Sequence, residues 1–143
     1  MSRTAVRPTS LPRTLGRLAL GGALAFAGTT HLTVAREEFQ AQVPDWVPLA
    51  DDTVVLASGV AEITLGALLV TQAKRRVLVG WLAAAFFVAI FPGNVSQLVN
   101  RVDAFGLDTD AKRWGRLPFQ AVLIALSLWS TGAWRDRRSL RRR

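Results

Sequence analysis

Glu62 lies in an apolar run, residues 54–70, that holds no other charge, and His31 is the one ionisable group in a second such run, 18–35. Ionisable groups at membrane depth are costly and mark ligand or proton pathways by default. A carboxyl beside an imidazole can relay protons, and hydrogen-bond donors beside an apolar slot are what a quinone's carbonyls require. Asn94, Gln97 and Gln120 supply amides that both donate and accept. With Trp46 as a lid, the expected ligand-binding set is His31, Glu62, Asn94, Trp46, Gln97 and Gln120. The polar members also have structural readings. Glu62 can be a neutral acid bonded to Ser58 or to a carbonyl, His31 can bond a backbone carbonyl, and Asn94 can cap a turn after Pro92 and Gly93.

Four apolar runs must position these groups: 18–35, 54–70, 77–100 and 117–134, the last two without charge. Each is long enough for a hydrocarbon core of about 30 Å, which takes about 20 helical residues. The expected fold is an all-α, four-helix transmembrane bundle, residues 14–134, with spans at about 15–35, 54–73, 77–98 and 117–134. A basic arm, 1–13, lacks apolar periodicity and reads as disordered, and a basic tail, 135–143, follows the last span. Gly21, Ala25 and Gly28 form a small face leading to His31, and Ser58, Gly59 and Gly66 flank Glu62 likewise. Small faces are where helices approach closely in lipid, so both ionisable residues should point inward. Pro92 should kink or end the third helix, and Pro118 suits the first turn of the fourth. Counting at 1.5 Å per residue, His31 stands about 21 Å above Arg17, Asn94 about 27 Å above Arg76, and Glu62 about 14 Å below Thr53. All three fall in the same half of the membrane, under the loop Val43-Pro44-Asp45-Trp46-Val47-Pro48. The second loop on that side, 101–116, reads as a solvated connection.

The net charge of +8 is unevenly placed. Arg3, Arg7, Arg13, Arg17, the Lys74-Arg75-Arg76 turn and six arginines of the tail fall on one side of such a bundle. Eight of the ten acids fall on the other side, with Arg36, Arg101, Lys112, Arg113 and Arg116. The positive-inside rule then puts both termini in the cytoplasm and the protein in the inner membrane as a multi-pass chain. The arginines suit anionic headgroups, at about 1 kcal/mol each, rather than nucleic acid. Trp81, Trp129 and Trp134 toward one interface and Trp46 and Trp114 toward the other fit an aromatic belt. An arginine-rich start can also signal secretion, but cleaving after Ala27 would split the basic elements between two sides, so the first run is read as a retained span.

No cysteine means no disulfide, thiolate nucleophile or iron–sulfur cluster, and one histidine allows no bis-histidine haem within the chain. Nothing reads as a metal site or a cofactor motif. Catalysis by this chain alone is not expected, and a redox role would borrow its cofactor, a quinone for example, from lipid or from a partner.

In order, Gly28 and His31, Phe39, the Val43-Pro44-Asp45-Trp46-Val47-Pro48 loop, Ser58-Gly59-Val60-Ala61-Glu62 with Gly66, Arg75-Arg76, Phe91-Pro92-Gly93-Asn94-Val95 and Arg116-Leu117-Pro118-Phe119-Gln120 form an ordered set. In this set the chain resembles the DoxX family of small four-helix bacterial membrane proteins, over residues 15–134. Arginine's excess over lysine also suits a GC-rich bacterial genome. Leu32 and Gly93 depart from the family's usual Phe and Ala. The resemblance implies a membrane bundle and, loosely, redox association, because the family is named for a subunit of a thiosulfate:quinone oxidoreductase. The expected function is an accessory subunit of a membrane redox or oxidative-stress system, partnered by another subunit and able to hold a quinone or other apolar ligand. The alternatives are an assembly factor that binds partner transmembrane helices and, ranking last, a small transporter.

Overall fold

The structure, a computed structural model, describes residues 7–142. Among these there is no strand, and the α-helices are α1 (Leu11–Leu32), α2 (Arg36–Gln40), α3 (Asp51–Thr71), α4 (Arg76–Val99) and α5 (Asp110–Ser130). Short 3-10 turns, Ala73–Arg75 and Arg137–Arg142, precede α4 and close the chain.

The buried residues of α1 are Arg17, Leu20, Gly21, Leu24, Gly28 and His31, and those of α3 are Val55, Gly59, Glu62, Leu65, Gly66 and Leu69. Both sets recur at three- and four-residue spacing, so each makes one stripe down a helix, and the ionisable residue belongs to the stripe. The stripes meet antiparallel at two glycine pairs. A methyl on Gly28 would stand 2.5 Å from the Gly59 carbonyl oxygen, and one on Gly66 would stand 2.5 Å from that of Gly21. At the other end of the bundle α4 meets α5 where Gly80 packs on Thr131, again with no room for a side chain. The molecule is thus two tight helix pairs, α1 with α3 and α4 with α5, with α3 and α4 in lighter contact.

The distribution of polarity is inside-out. Among the described residues, polar and charged side chains are buried as often as apolar ones, including Glu62, Asn94, Gln97, Gln120 and Ser127. Phe26 on α1, Val60 on α3, Val88 on α4 and Phe119 and Val122 on α5 are exposed. Bare apolar surface on all four long helices is what lipid contact favours and water does not. Asp51–Thr71 and Ala73–Val99 are long and apolar enough to cross a membrane, with hydropathies of 2.0 and 1.9. The other two long helices are more polar: α5 opens with Asp110, Lys112, Arg113 and Arg116, and α1 holds Arg13 and Arg17.

Several sequence expectations need correction. The part of the basic arm within the described residues is ordered: α1 starts at Leu11 with Pro12 in its first turn, and the carbonyl of Arg7 accepts from Arg76 and Arg135. Residues 1–6 and Arg143 lie outside the described residues. α4 runs unbroken through Pro92 to Val99, so the proline removes one hydrogen bond without ending the helix. α5 begins at Asp110, capped by Thr109, and ends at Ser130, so Pro118 is interior and 131–134 are turn. The start of the tail packs on the bundle. Asp136 takes hydrogen bonds from Arg135 and Arg76, of which Arg135 is the stronger hold on its carboxyl, keeping it below the ordinary carboxylate range. These contacts, with Arg13 donating to the Trp129 carbonyl at 2.5 Å, gather residues 7–13, the 73–76 turn and residues 129–136 at one arginine-rich end. His31, Glu62 and Asn94 lie toward the opposite end.

If the glycine contacts set the α1–α3 distance, Gly28→Ala should cost about 1–3 kcal/mol by overpacking. Gly22→Ala, where a methyl meets nothing within 4 Å, should be neutral or stabilising. Thermal unfolding of the two variants in detergent gives the comparison, and equal effects would contradict the packing described here.

Candidate functional site

His31 and Glu62 face each other across the Gly28–Gly59 contact. Nδ1 of His31 lies 2.8 Å from the Ala27 carbonyl oxygen and 2.9 Å from Oε2 of Glu62, with both side chains almost wholly buried. Because a carbonyl only accepts, Nδ1 carries the proton and donates to Ala27. That alignment leaves Glu62 Oε2 close but off the N–H axis, a buried carboxyl oxygen without a hydrogen bond of its own. Ser58 does not bond it, although it lines the same cavity. Among the described residues Nε2 of His31 has no hydrogen-bond partner, which leaves it to whatever occupies the space beside it. Phe39, just beyond α1 on α2, stacks on the imidazole with 19° between the planes.

That space is a cavity of about 610 Å³ between the two helix pairs. Apolar walls come from Leu20 and Leu24 on α1, Phe86, Phe87 and Ile90 on α4, and Leu123 on α5. The polar side chains reaching it are few: His31, Glu62, Ser58, Gln42, Asn94, Arg116 and Gln120. Ala57 on α3 and Ala89 on α4 line it and are exposed, as are Ala23 on α1 and Phe119 on α5, so it reaches the surface between α3 and α4, where contact is lighter than between α1 and α5, and also on the α1–α5 side. A mostly apolar chamber of this size with a few convergent polar groups has the make-up of a small-molecule site.

The second helix pair contributes a separate amide relay. Nδ2 of Asn94 donates to Oε1 of Gln120 at 3.2 Å, and Nε2 of Gln120 donates to the Phe87 carbonyl at 2.7 Å, in the turn next to the one Pro92 loosens. His31, Glu62, Asn94 and Gln120 therefore share one cavity, as their spacing suggests. Trp46 lies at its rim, 73% exposed. Gln97 does not line it. Its Oε1 accepts from Gln42 at 2.6 Å and from Arg116 at 3.2 Å, and its Nε2 donates to the carbonyls of Val102 and Ala104, so it is a fully used internal clamp.

Nor is the second loop a solvated connection. Ala104 is buried, Phe105 packs on Phe39 at 4.6 Å, and its N–H donates to Glu38 at 2.7 Å. Phe105 holds φ at 55°, a left-handed conformation costing a non-glycine residue about 1–3 kcal/mol. With Arg116 over the Phe105 ring at 5.2 Å, a stack of His31, Phe39, Phe105 and Arg116 roofs the cavity and ties the helix pairs together. Arg116, Gln42 and Phe39 were not among the expected ligand-binding residues. Arg116 precedes Gln120 by one helical turn, a spacing that shares a face once α5 is known to start at Asp110; Gln42 sits in an irregular loop that offers no period.

A family model described as Domain of unknown function (DUF8561) matches residues 20–131. The chain belongs to this family. The matched region contains the whole His31–Glu62 and Asn94–Gln120 arrangement together with Arg116, so the cavity lies within the family's domain. No curated protein and no solved structure matches the chain.

Replacing Gln97 by Leu would strand the Gln42 amide and the carbonyls of Val102 and Ala104 in a buried setting. Such orphans cost about 1–3 kcal/mol each, so Gln97→Leu should lower thermal stability clearly while leaving the His31–Glu62 distance unchanged in a structure of the variant. Unaltered stability would mean the second loop is not clamped as described.

Proposed function

We propose that this chain is a four-pass membrane protein of DoxX-like architecture, with both termini in the cytoplasm, that holds a membrane-soluble apolar ligand in the cavity between its helix pairs. The observation that carries this reading is the buried His31–Glu62 contact on the wall of an otherwise apolar chamber. A buried carboxyl oxygen without a hydrogen bond is expensive, and a ligand's polar end would give it a partner, with the unbonded Nε2 of His31 beside it. A quinone–quinol couple is the reference ligand, because the quinone's carbonyls accept from the Asn94 amide, the quinol's hydroxyls donate to Nε2 of His31 and Oε2 of Glu62, and its ring suits the phenylalanine-lined interior. Asn94 would orient such a ligand through the amide relay with Gln120. The chain would then act as an accessory subunit of a membrane redox system, holding the ligand and moving its protons while a partner supplies the electrons. The arginine-rich end would rest on anionic headgroups.

Two measurements test this. Single cysteines at Ala73, Asp45 and Asp108 should be labelled by a membrane-impermeant thiol reagent from outside at Asp45 and Asp108 only; outside labelling at Ala73 would overturn the topology. A short-chain benzoquinol should bind the purified protein saturably under reducing conditions. Glu62→Gln and His31→Ala should each weaken that binding about tenfold, with a double variant little worse than either single one, as for groups acting as a unit. Wild-type affinity in Glu62→Gln, with destabilisation only in Glu62→Leu, would reduce the pair to a structural contact.

A further inference from the structure

The histidine end of the bundle carries five basic side chains, and four of them have carboxylate partners. Arg36 bonds Asp52, Arg101 lies 3.7 Å from Asp110, Lys112 bonds Asp108 at 2.7 Å, and Arg113 bonds Asp103 and Asp110. Arg116 is the exception: among the described residues it takes part in no ion pair, although it is half-buried and lines the cavity. Its contacts are the neutral Gln97 Oε1 and the Phe105 ring. Glu62, the acid that also lines the cavity, stands against His31 and not against Arg116. A guanidinium removed from water without a counter-charge is costly, and it presents a planar fork suited to carboxylate or phosphate oxygens.

We propose that the ligand of this cavity is a single-chain amphiphile with an anionic head, the head on Arg116 beneath the Phe105 roof and the chain running between Leu24 and Leu123. This rests on the cavity being a ligand site and narrows the class of ligand that it takes. Volume supports one chain, since a chamber of about 610 Å³ takes one drug-sized molecule, not a two-chain phospholipid. The exposed alanines Ala57 and Ala89 give such a molecule a sideways entrance between α3 and α4, on the helices apolar enough to face lipid.

The test is equilibrium binding of radiolabelled palmitate to the purified full chain in neutral maltoside micelles, with competition by methyl palmitate, lysophosphatidic acid and a short-chain benzoquinone. Palmitate or lysophosphatidic acid should bind at least tenfold tighter than the methyl ester, and whichever anion is tighter assigns the head as carboxylate or phosphate. Arg116→Gln should remove that preference while keeping ester affinity, and Arg116→Lys should retain most of it. If Arg116→Gln does not fold, the acid-to-ester ratio of the unaltered protein decides alone. An ester bound as tightly as the acid, or an unchanged palmitate affinity in a folded Arg116→Gln, would overturn the anionic head. Equal binding of acid, ester and quinone would leave the cavity reading standing, whereas failure of all three to bind would sink both.

Discussion

A methyl group on Gly28 would collide with the carbonyl of Gly59, and one on Gly59 would stand 2.9 Å from the Cβ of His31. This intolerance for side chains brings the α1 and α3 backbones together and lets Nδ1 of His31 come within 2.9 Å of Glu62. Because α1 and α3 close on each other so tightly, they leave the space on their far side to be filled by α4 and α5. That second pair is held by its own close approach at Gly80 and Thr131, at the arginine-rich end. Tight packing within each pair, with lighter contact between α3 and α4, is what leaves a chamber between the pairs.

At the histidine end the chamber is closed by local order that its polarity would not suggest. Gln97 spends both ends of its amide on loops, Glu38 accepts from the Phe105 N–H, and Phe105 accepts a left-handed backbone to reach Phe39. The roof therefore joins α2, which follows α1, to the segment before α5. Any ligand entering from above must part that stack, while the gap beside Ala57 and Ala89 is free of it.

The sequence made the long helices legible because their apolar runs are long, and it made the His31–Glu62 meeting legible because glycine faces lead to both residues. Asn94 was legible as a neighbour of the pair through depth, which a helix converts directly from residue count, whereas its bond to Gln120 was not. Boundaries were less so. α5 begins seven residues before its apolar run, since Thr109 caps a turn of Asp110, Lys112 and Arg113 whose charges look like loop. Pro92 reads as a break, yet a single lost hydrogen bond is not enough to stop a helix packed along its length. Gln97 shares a face with Asn94 by spacing, but its partners Gln42, Val102 and Ala104 come from loops, and such long-range hydrogen bonds leave no period in a sequence. Arg116 stood in the ordered set but was hidden as a cavity residue for a similar reason, because nothing in the sequence shows that the carboxylates around it are taken.

The central claim is that Glu62 meets a ligand rather than only a neighbouring helix. Infrared difference spectroscopy on the protein in micelles, before and after saturation with a short-chain benzoquinol, addresses that carboxyl directly. A ligand at this site changes the hydrogen bonding of Oε2, so the account predicts a difference band in the carboxyl region that disappears in Glu62→Gln. A saturated protein whose carboxyl region does not change would contradict it.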